Sequence, residues 1–320
     1  MRRGPAVALV ASALVLAGCA PSRAPAAAPT PSTTPRTTTT PTATTPSATA
    51  PLVTPMPKPS RAPVAPKTVR VPPKAPTPTY RSLEKKYLVR NKIYSAGPVP
   101  AVTCALPQIE LRTRKEVQQY ASAVLGCLQR AWKSVVEHSD VEFTSAKVYA
   151  VNAGSKTRCG ILTKEVGGFY CADGSGIYLD WQEFVEDNEY DREWAGVYLQ
   201  FTMAHEFGHH VQQLVGISEY YDERSERVKG ALGLQEMRRH ELQASCFASA
   251  FLGANQQTLD LYDAKLQAYR DAAYSGDDDP PASTPDHGSR RSSTAWAEAA
   301  FKAKSPSACN TWAVPAQRVT

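Results

Sequence analysis

Acidic side chains are almost missing from the first 92 residues, where Glu84 stands alone against 14 Lys and Arg. The overall net charge of +6 is therefore an average over two unlike parts, because the rest of the chain holds 22 bases and 29 acids. That acidic balance excludes nucleic acid as a partner, since neutralising phosphates needs a basic face on the folded part. Large apolar residues are scarce from Ala20 to Thr79, which excludes a packed core there: too little surface can be buried to offset the ordering entropy. No CxxC pair occurs among the seven cysteines, which argues against zinc fingers and ribbons. Internal repeats are missing too, and no second apolar run is long enough to span a bilayer.

What is present begins with "MRRGPAVALVASALVLAGC". Arg2 and Arg3 form a charged start, and Ala6 to Leu16 form an apolar run too short to cross a membrane, so residues 1–18 read as a signal peptide. "LAGC" resembles the lipobox of bacterial lipoproteins, in which the cysteine, here Cys19, receives diacylglycerol and becomes the mature first residue. The expected location is extracytoplasmic, with the membrane reached through lipid on Cys19. Of 26 prolines, 18 lie in the first 80 residues, with Thr, Ala and Ser making up most of the remainder. Residues 19–79 thus read as a lipidated, disordered, polyproline-rich tether. At about 3.1 Å per residue it reaches on the order of 150–190 Å and acts as a plain spacer.

Reserving Cys19 for lipid leaves Cys104, Cys127, Cys159, Cys171, Cys246 and Cys309, an even set in a compartment that permits disulfides. "RCGILTKEVGGFYC" carries cysteines at both ends of strands joined by a Gly-Gly turn, so Cys159 is expected to pair with Cys171. By elimination Cys104–Cys127 and Cys246–Cys309 are the favoured remaining pairs, although six cysteines allow 15 connectivities.

The folded part, residues 80–320, reads as one domain of the α+β class, mainly helical with a small antiparallel sheet. Thr113 to Ser139 has the helical period with Thr113 as N-cap. Lys147–Val151 and Gly176–Asp180 ("GIYLD") read as strands. Trp194–Val215, residues 225–252, residues 256–274 and Ser293–Ala303 read as helices. "SGDDDPPASTPDHGSRRS" is a loop whose "GDDDPP" lacks the Gly-centred EF-hand spacing and reads as a solvated turn.

Three of the six histidines fall within "AHEFGHHVQ". His205 and His209 are four apart on a predicted helix, so both rings leave one face and can hold one tetrahedral zinc. Glu206 lies about 100° round from His205, too far to ligate but able to take a proton from a zinc-activated water. Gly208 allows close approach of a neighbouring element, and His210 points elsewhere. The third ligand is sought in "RRHELQASCFASAF". Glu241, Ala244, Ser245 and Ala248 share one helical face, and its small residues let that helix press on the first and bring Glu241 to the metal. His240 points about 100° away, and His287 in "PDHG" fits a loop.

"AHEFGHHVQQLVG", "ELQASCFASAF", "CG…GGFYCADGSGIYLDW" and "DHGS" together resemble a bacterial family of neutral zinc metallopeptidases, a zincin-like group, across roughly residues 80–310. The resemblance implies a zincin-like domain with zinc on His205, His209 and Glu241 and Glu206 as general base, acting on a peptide or protein substrate of the cell envelope. It also implies that "GIYLD" is the edge strand on which substrate lies. His287 is the candidate donor to the oxyanion. Two departures stand out. The family reads "ELQADC" where this chain has Ser245, a position that would orient a ligand histidine, and Arg290 and Arg291 sit closer to "HG" than the family's arginine. The function expected is a membrane-tethered zinc endopeptidase; the alternative is a catalytically weak zinc-binding surface lipoprotein that acts by protein interaction.

Overall fold

The computed structural model describes residues 80–164, 167–278, 282 and 284–320. The expected signal peptide 1–18, Cys19 and the tether 19–79 lie outside the described residues, as do Asp279, Pro280 and Pro281 of the acidic loop.

A short helix α1 (Tyr80–Glu84), a π turn (Lys85–Val89) and a 3-10 turn (Lys92–Ser95) precede the long helix α2 (Arg114–Glu137). Thr113 caps α2 as expected: its Oγ1 accepts the Glu116 N–H, and the Glu116 carboxylate reaches back to the Arg112 N–H. Five strands follow, β1 (Lys147–Val151), β2 (Lys156–Thr157), β3 (Gly160–Ile161), β4 (Gly168–Cys171) and β5 (Gly176–Asp180). β1 and β5 have the bounds read from the sequence.

Strand order departs from expectation in one respect. β5 lies between β1, to which it runs parallel, and β4, to which it is antiparallel. "GIYLD" is therefore the central strand, with only Tyr178 half-buried among otherwise buried residues, and β4 is the edge. Cys159 does pair with Cys171, but not across the anticipated hairpin. β3 pairs with β2 and β4 with β5, so the bond ties the turn of the β2–β3 ribbon to the end of β4. The other pairs are Cys104–Cys127 and Cys246–Cys309.

Among the described residues six α-helices follow, α3 (Trp181–Tyr190), α4 (Arg192–Leu214), α5 (Ile217–Arg227), α6 (Gly230–Ala254), α7 (Asp263–Ala273) and α8 (Arg290–Ala303), and then three 3-10 turns (Pro306–Ala308, Thr311–Ala313 and Ala316–Arg318). The expected helix over 225–252 is interrupted because Val228 and Lys229 are extended and Gly230 takes φ +61°. Residues 217–227 form a separate helix with few apolar positions, which is why its period is faint. α8 starts three residues earlier than expected, with Ser289 accepting the Ser292 N–H. Among the described residues no helix is long and apolar enough to cross a membrane.

α4 is the central element, packed against α2, α3, α6 and α7. Its contact with α6 is backbone to backbone at one point. A Cβ on Gly208 would stand 2.7 Å from the Ala244 carbonyl oxygen and 3.0 Å from the Ala244 Cα. Neither atom is the end of a flexible side chain, so the two helices must move apart to admit a methyl group. Gly208→Ala is accordingly expected to destabilise the fold by about 1–3 kcal/mol and to weaken metal binding at the same joint. Denaturation midpoints and zinc titration of the variant check both effects; an unchanged zinc affinity would show that the joint does not set the site.

Candidate metal centre

α4 presents His205 and His209 one turn apart, and α6, held close by Gly208, presents Glu241 opposite them. His205 Nε2 and His209 Nε2 are 3.1 Å apart, and Glu241 Oε2 is 3.2 Å from the first and 3.0 Å from the second. Ligands bound tetrahedrally at zinc–ligand distances of about 2.0–2.1 Å stand about 3.3 Å apart, so this triangle fits zinc with little adjustment. The donor chemistry fits as well: two imidazoles and a carboxylate leave a fourth position free, the pattern of a catalytic rather than a structural site.

The histidines are oriented from behind. His205 Nδ1 lies 2.9 Å from Ser245 Oγ, so its N–H donates there and Nε2 keeps its lone pair for a metal. His209 Nδ1 donates to Gln212 Oε1 at 2.8 Å, and the buried Gln212 amide in turn donates to the His240 carbonyl and to Gln243. Gln212 escaped the sequence reading, although an amide three residues after a ligand on the same helix was the available signal. Ser245 makes its bond directly. Ser245→Ala should cost about 10-fold in zinc affinity, the lower end of what such supports contribute. Ser245→Asp should tighten binding by adding charge at the same hydrogen bond. Competition against a chelator measures both, and an Ala variant that binds zinc like the parent would remove position 245 from the site.

His240 is not a ligand but part of a stack. Its ring lies 4.8 Å from His209 and 4.3 Å from Tyr221, nearly parallel to the latter, with Ser218 Oγ 3.2 Å from its Nε2. Burial pushes its pKa down to about 4, so it is neutral, and its Nδ1 stands 3.5 Å from Glu241 Oε1. Ser218 and Tyr221 belong to α5, the helix missed in the sequence. Burial alone would raise the Glu241 pKa, but the charge on His209 and the hydrogen bonds from His205 and His209 hold it well below the usual carboxylate range. For His209, burial acts downward and the Glu241 carboxylate prevails, lifting the pKa to about 9. A binding cation must displace that proton. His210 points away from the centre, with Nε2 donating to the Thr144 carbonyl at 2.8 Å and Nδ1 accepting from the Tyr170 hydroxyl at 3.0 Å.

The loop before α8 brings His287 to the same place. Its Nε2 is 3.5 Å from Glu241 Oε2 and its Nδ1 2.8 Å from Asp286 Oδ1. The acidic loop is more than the solvated turn expected: the Asp277 carboxylate accepts the His287 N–H and Asp278 accepts the Arg290 N–H. Burial would lower the His287 pKa, but the Asp286 hydrogen bond with the nearby Glu241 and Asp277 raises it to about 9.

His205, Glu206, His209, Glu241 and His287 all line one cleft of about 360 Å³, whose opposite wall is β4. The Asp180 N–H donates to the Gly167 carbonyl at 2.7 Å, which makes 167–180 a hydrogen-bonded pair of the antiparallel ladder. Alternation along the ladder then turns the N–H and C=O of Gly168 and Tyr170 outward, away from β5. The outer edge of β4, with no strand paired to it among the described residues, thus borders the three converging ligands.

Residues 95–312 match the family described as "Putative neutral zinc metallopeptidase". The chain is 28% identical over 209 residues to the uncharacterized protein YpfJ of Escherichia coli (strain K12), covering 62% of this chain and 72% of that protein. It is 34% identical over 96 residues to the uncharacterized protein Rv2575 of Mycobacterium tuberculosis (strain H37Rv), covering 30% of this chain and 31% of that protein. No solved structure matches. A family match over that span includes both histidine-bearing α4 and the helix that supplies Glu241, and the chain belongs to this family of neutral zinc metallopeptidases.

Proposed function

We propose that the chain is an extracytoplasmic zinc endopeptidase tethered to the membrane through lipid on Cys19. The observation that carries the catalytic part is the convergence of His205 Nε2, His209 Nε2 and Glu241 Oε2 within 3.2 Å of one another, in a cleft that also holds Glu206. His205, His209 and Glu241 would hold the zinc, whose Lewis acidity makes a water more acidic and a peptide carbonyl more electrophilic.

The chain's own groups do the rest. An extended peptide adds to the outward N–H and C=O groups of Gly168 and Tyr170, which sets its register along the cleft. Glu206 accepts the proton of the attacking water and passes it to the leaving amine. His287, protonated and aimed by Asp286, donates a hydrogen bond to the oxyanion as charge develops there. Ser245 and Gln212 keep the two ligand rings in the tautomer that binds metal. The direct Ser245–His205 bond favours this reading over a zinc-binding protein that acts by interaction alone.

Incubating the zinc-loaded full chain with an unfolded protein, and mapping fragments by mass spectrometry, tests the activity. Bound zinc with no cleavage would defeat it. Tethering has its own check: Cys19→Ala should move the protein from the membrane to the soluble fraction and leave peptide hydrolysis unchanged, because a long spacer separates anchor from chemistry. Membrane association that survives the substitution would place the anchor elsewhere.

A further inference from the structure

A second cavity, of about 640 Å³, is lined by residues of α1, α5 and α6 that the metal cleft does not share, and the proposed reaction does not use it. Its volume falls within the range of about 300–1,000 Å³ usual for small-molecule sites. Five cations line it: Arg81, Lys85, Arg224, Arg227 and Arg239. Among the described residues Glu84 is the one carboxylate in the wall, and Glu236 stands behind Arg224.

These charges are not equally matched. Arg224 is paired twice, to Glu84 and, at 2.8–3.0 Å, to Glu236. Arg227 shares Glu84 at 3.1 Å and lies over the Tyr80 ring with its Cζ 4.0 Å from the centroid. Arg239 is different. It is only 7% exposed, donates to the Thr311 carbonyl, and makes no ion pair among the described residues. Glu236, one turn before it on α6, acts on it through space but is engaged by Arg224, so the buried guanidinium lacks an anion held directly against it. Arg81 and Lys85 at the mouth are exposed and add charge without any ion pair of their own among the described residues. Trp312, Leu88 and Val228 give the cavity an apolar side.

We propose that this cavity binds a compact oxyanion, a phosphate or carboxylate group, carried on an apolar body. The anionic group takes the buried Arg239 as its counter-ion with Lys85 and Arg81 closing over it, and the apolar body lies against Trp312 and Leu88. Arg239 recognises the anion through planar, fork-shaped donors that suit such oxygens. The site is independent of zinc and of hydrolysis. It shares its helices with the metal centre, since α6 carries Arg239 beside His240 and Glu241, and α5 carries Arg224 and Arg227 beyond Ser218 and Tyr221.

The test uses the full chain stripped of metal, so that no probe can bind zinc. Inorganic phosphate and phenyl phosphate are titrated by calorimetry and by thermal denaturation, with chloride holding ionic strength constant. Both should bind saturably and raise the melting temperature, phenyl phosphate at about tenfold lower concentration because burying its ring adds roughly 1.4 kcal/mol or more. Equal affinities would overturn the apolar body and leave an oxyanion site alone. Arg239→Gln should abolish saturable binding without lowering the melting temperature of the unliganded chain, because it removes a buried charge that makes no direct ion pair among the described residues. Lys85→Ala, an exposed change, should weaken binding a few-fold with the fold intact. No response beyond that to chloride overturns the proposal, as does an Arg239→Gln chain that responds like the parent. Should Arg239→Gln fail to fold, an unchanged affinity in the Arg81→Ala, Lys85→Ala double variant overturns it instead.

Discussion

Glu206→Gln is expected to abolish hydrolysis of an unfolded protein while zinc stays bound at one per chain. Glu206 follows His205 on α4, so its side chain leaves the helix about 100° from that ligand and offers no third donor. It is buried, 7% exposed, and lines the cleft beside the ligands. Glutamine keeps the volume and the hydrogen-bonding oxygen but cannot accept a proton or return it to the amine. General acid–base catalysis of this kind contributes about 10²–10⁴-fold, and here one residue serves in both directions, so the loss should reach the upper part of that range. Hydrolysis rates and elemental zinc, measured on the same preparation, separate this from a damaged site. Activity within a factor of about ten of the parent would remove Glu206 from the mechanism, and loss of zinc would make it a ligand.

Glu241→Ala should strip the metal, and His240→Ala should not. Glu241 supplies the only anionic donor of the triangle, at 3.0–3.2 Å from both imidazole nitrogens. Four histidines, 205, 209, 240 and 287, have a ring nitrogen within 3.5 Å of its carboxylate. Deleting it leaves two neutral donors and no counter-charge for the cation, so zinc affinity should fall by well over the roughly 100-fold that marks the upper limit for an outer support. His240 touches the other carboxylate oxygen at 3.5 Å and braces the His209 ring by stacking. Its removal should cost about 10-fold, in the manner of a positioning residue. Zinc retained through dialysis, with circular dichroism to confirm the fold, reads the difference. Undiminished zinc in Glu241→Ala together with loss in His240→Ala would exchange the two assignments.

Parts of the site were legible because helix geometry is local. His205 and His209 four apart on a helix must share a face, whatever surrounds them. Glu241 was found because Ala244, Ser245 and Ala248 lie on its side of α6, and small residues there signal an approaching helix; the contact of Gly208 with the Ala244 backbone is that approach. The same periodicity pointed Ser245 at a ligand ring. It failed where helices are mostly polar or interrupted, which is why α5 was missed and with it Tyr221 and Ser218.

The sequence by itself determined the helical face that carries the two histidines and the bounds of β1 and β5. Each of these follows from spacing or composition within one segment. Tertiary structure alone decided that β4, not "GIYLD", is the open edge, since the order of strands depends on which distant partner satisfies each ladder of N–H and C=O groups. It also decided that the acidic loop holds His287 over Glu241, and that Arg239 lies buried at a cavity wall without a direct ion pair among the described residues. Such encounters join distant segments, as Arg239 meets Thr311 72 positions on, and no local period encodes which side chain arrives at a given place.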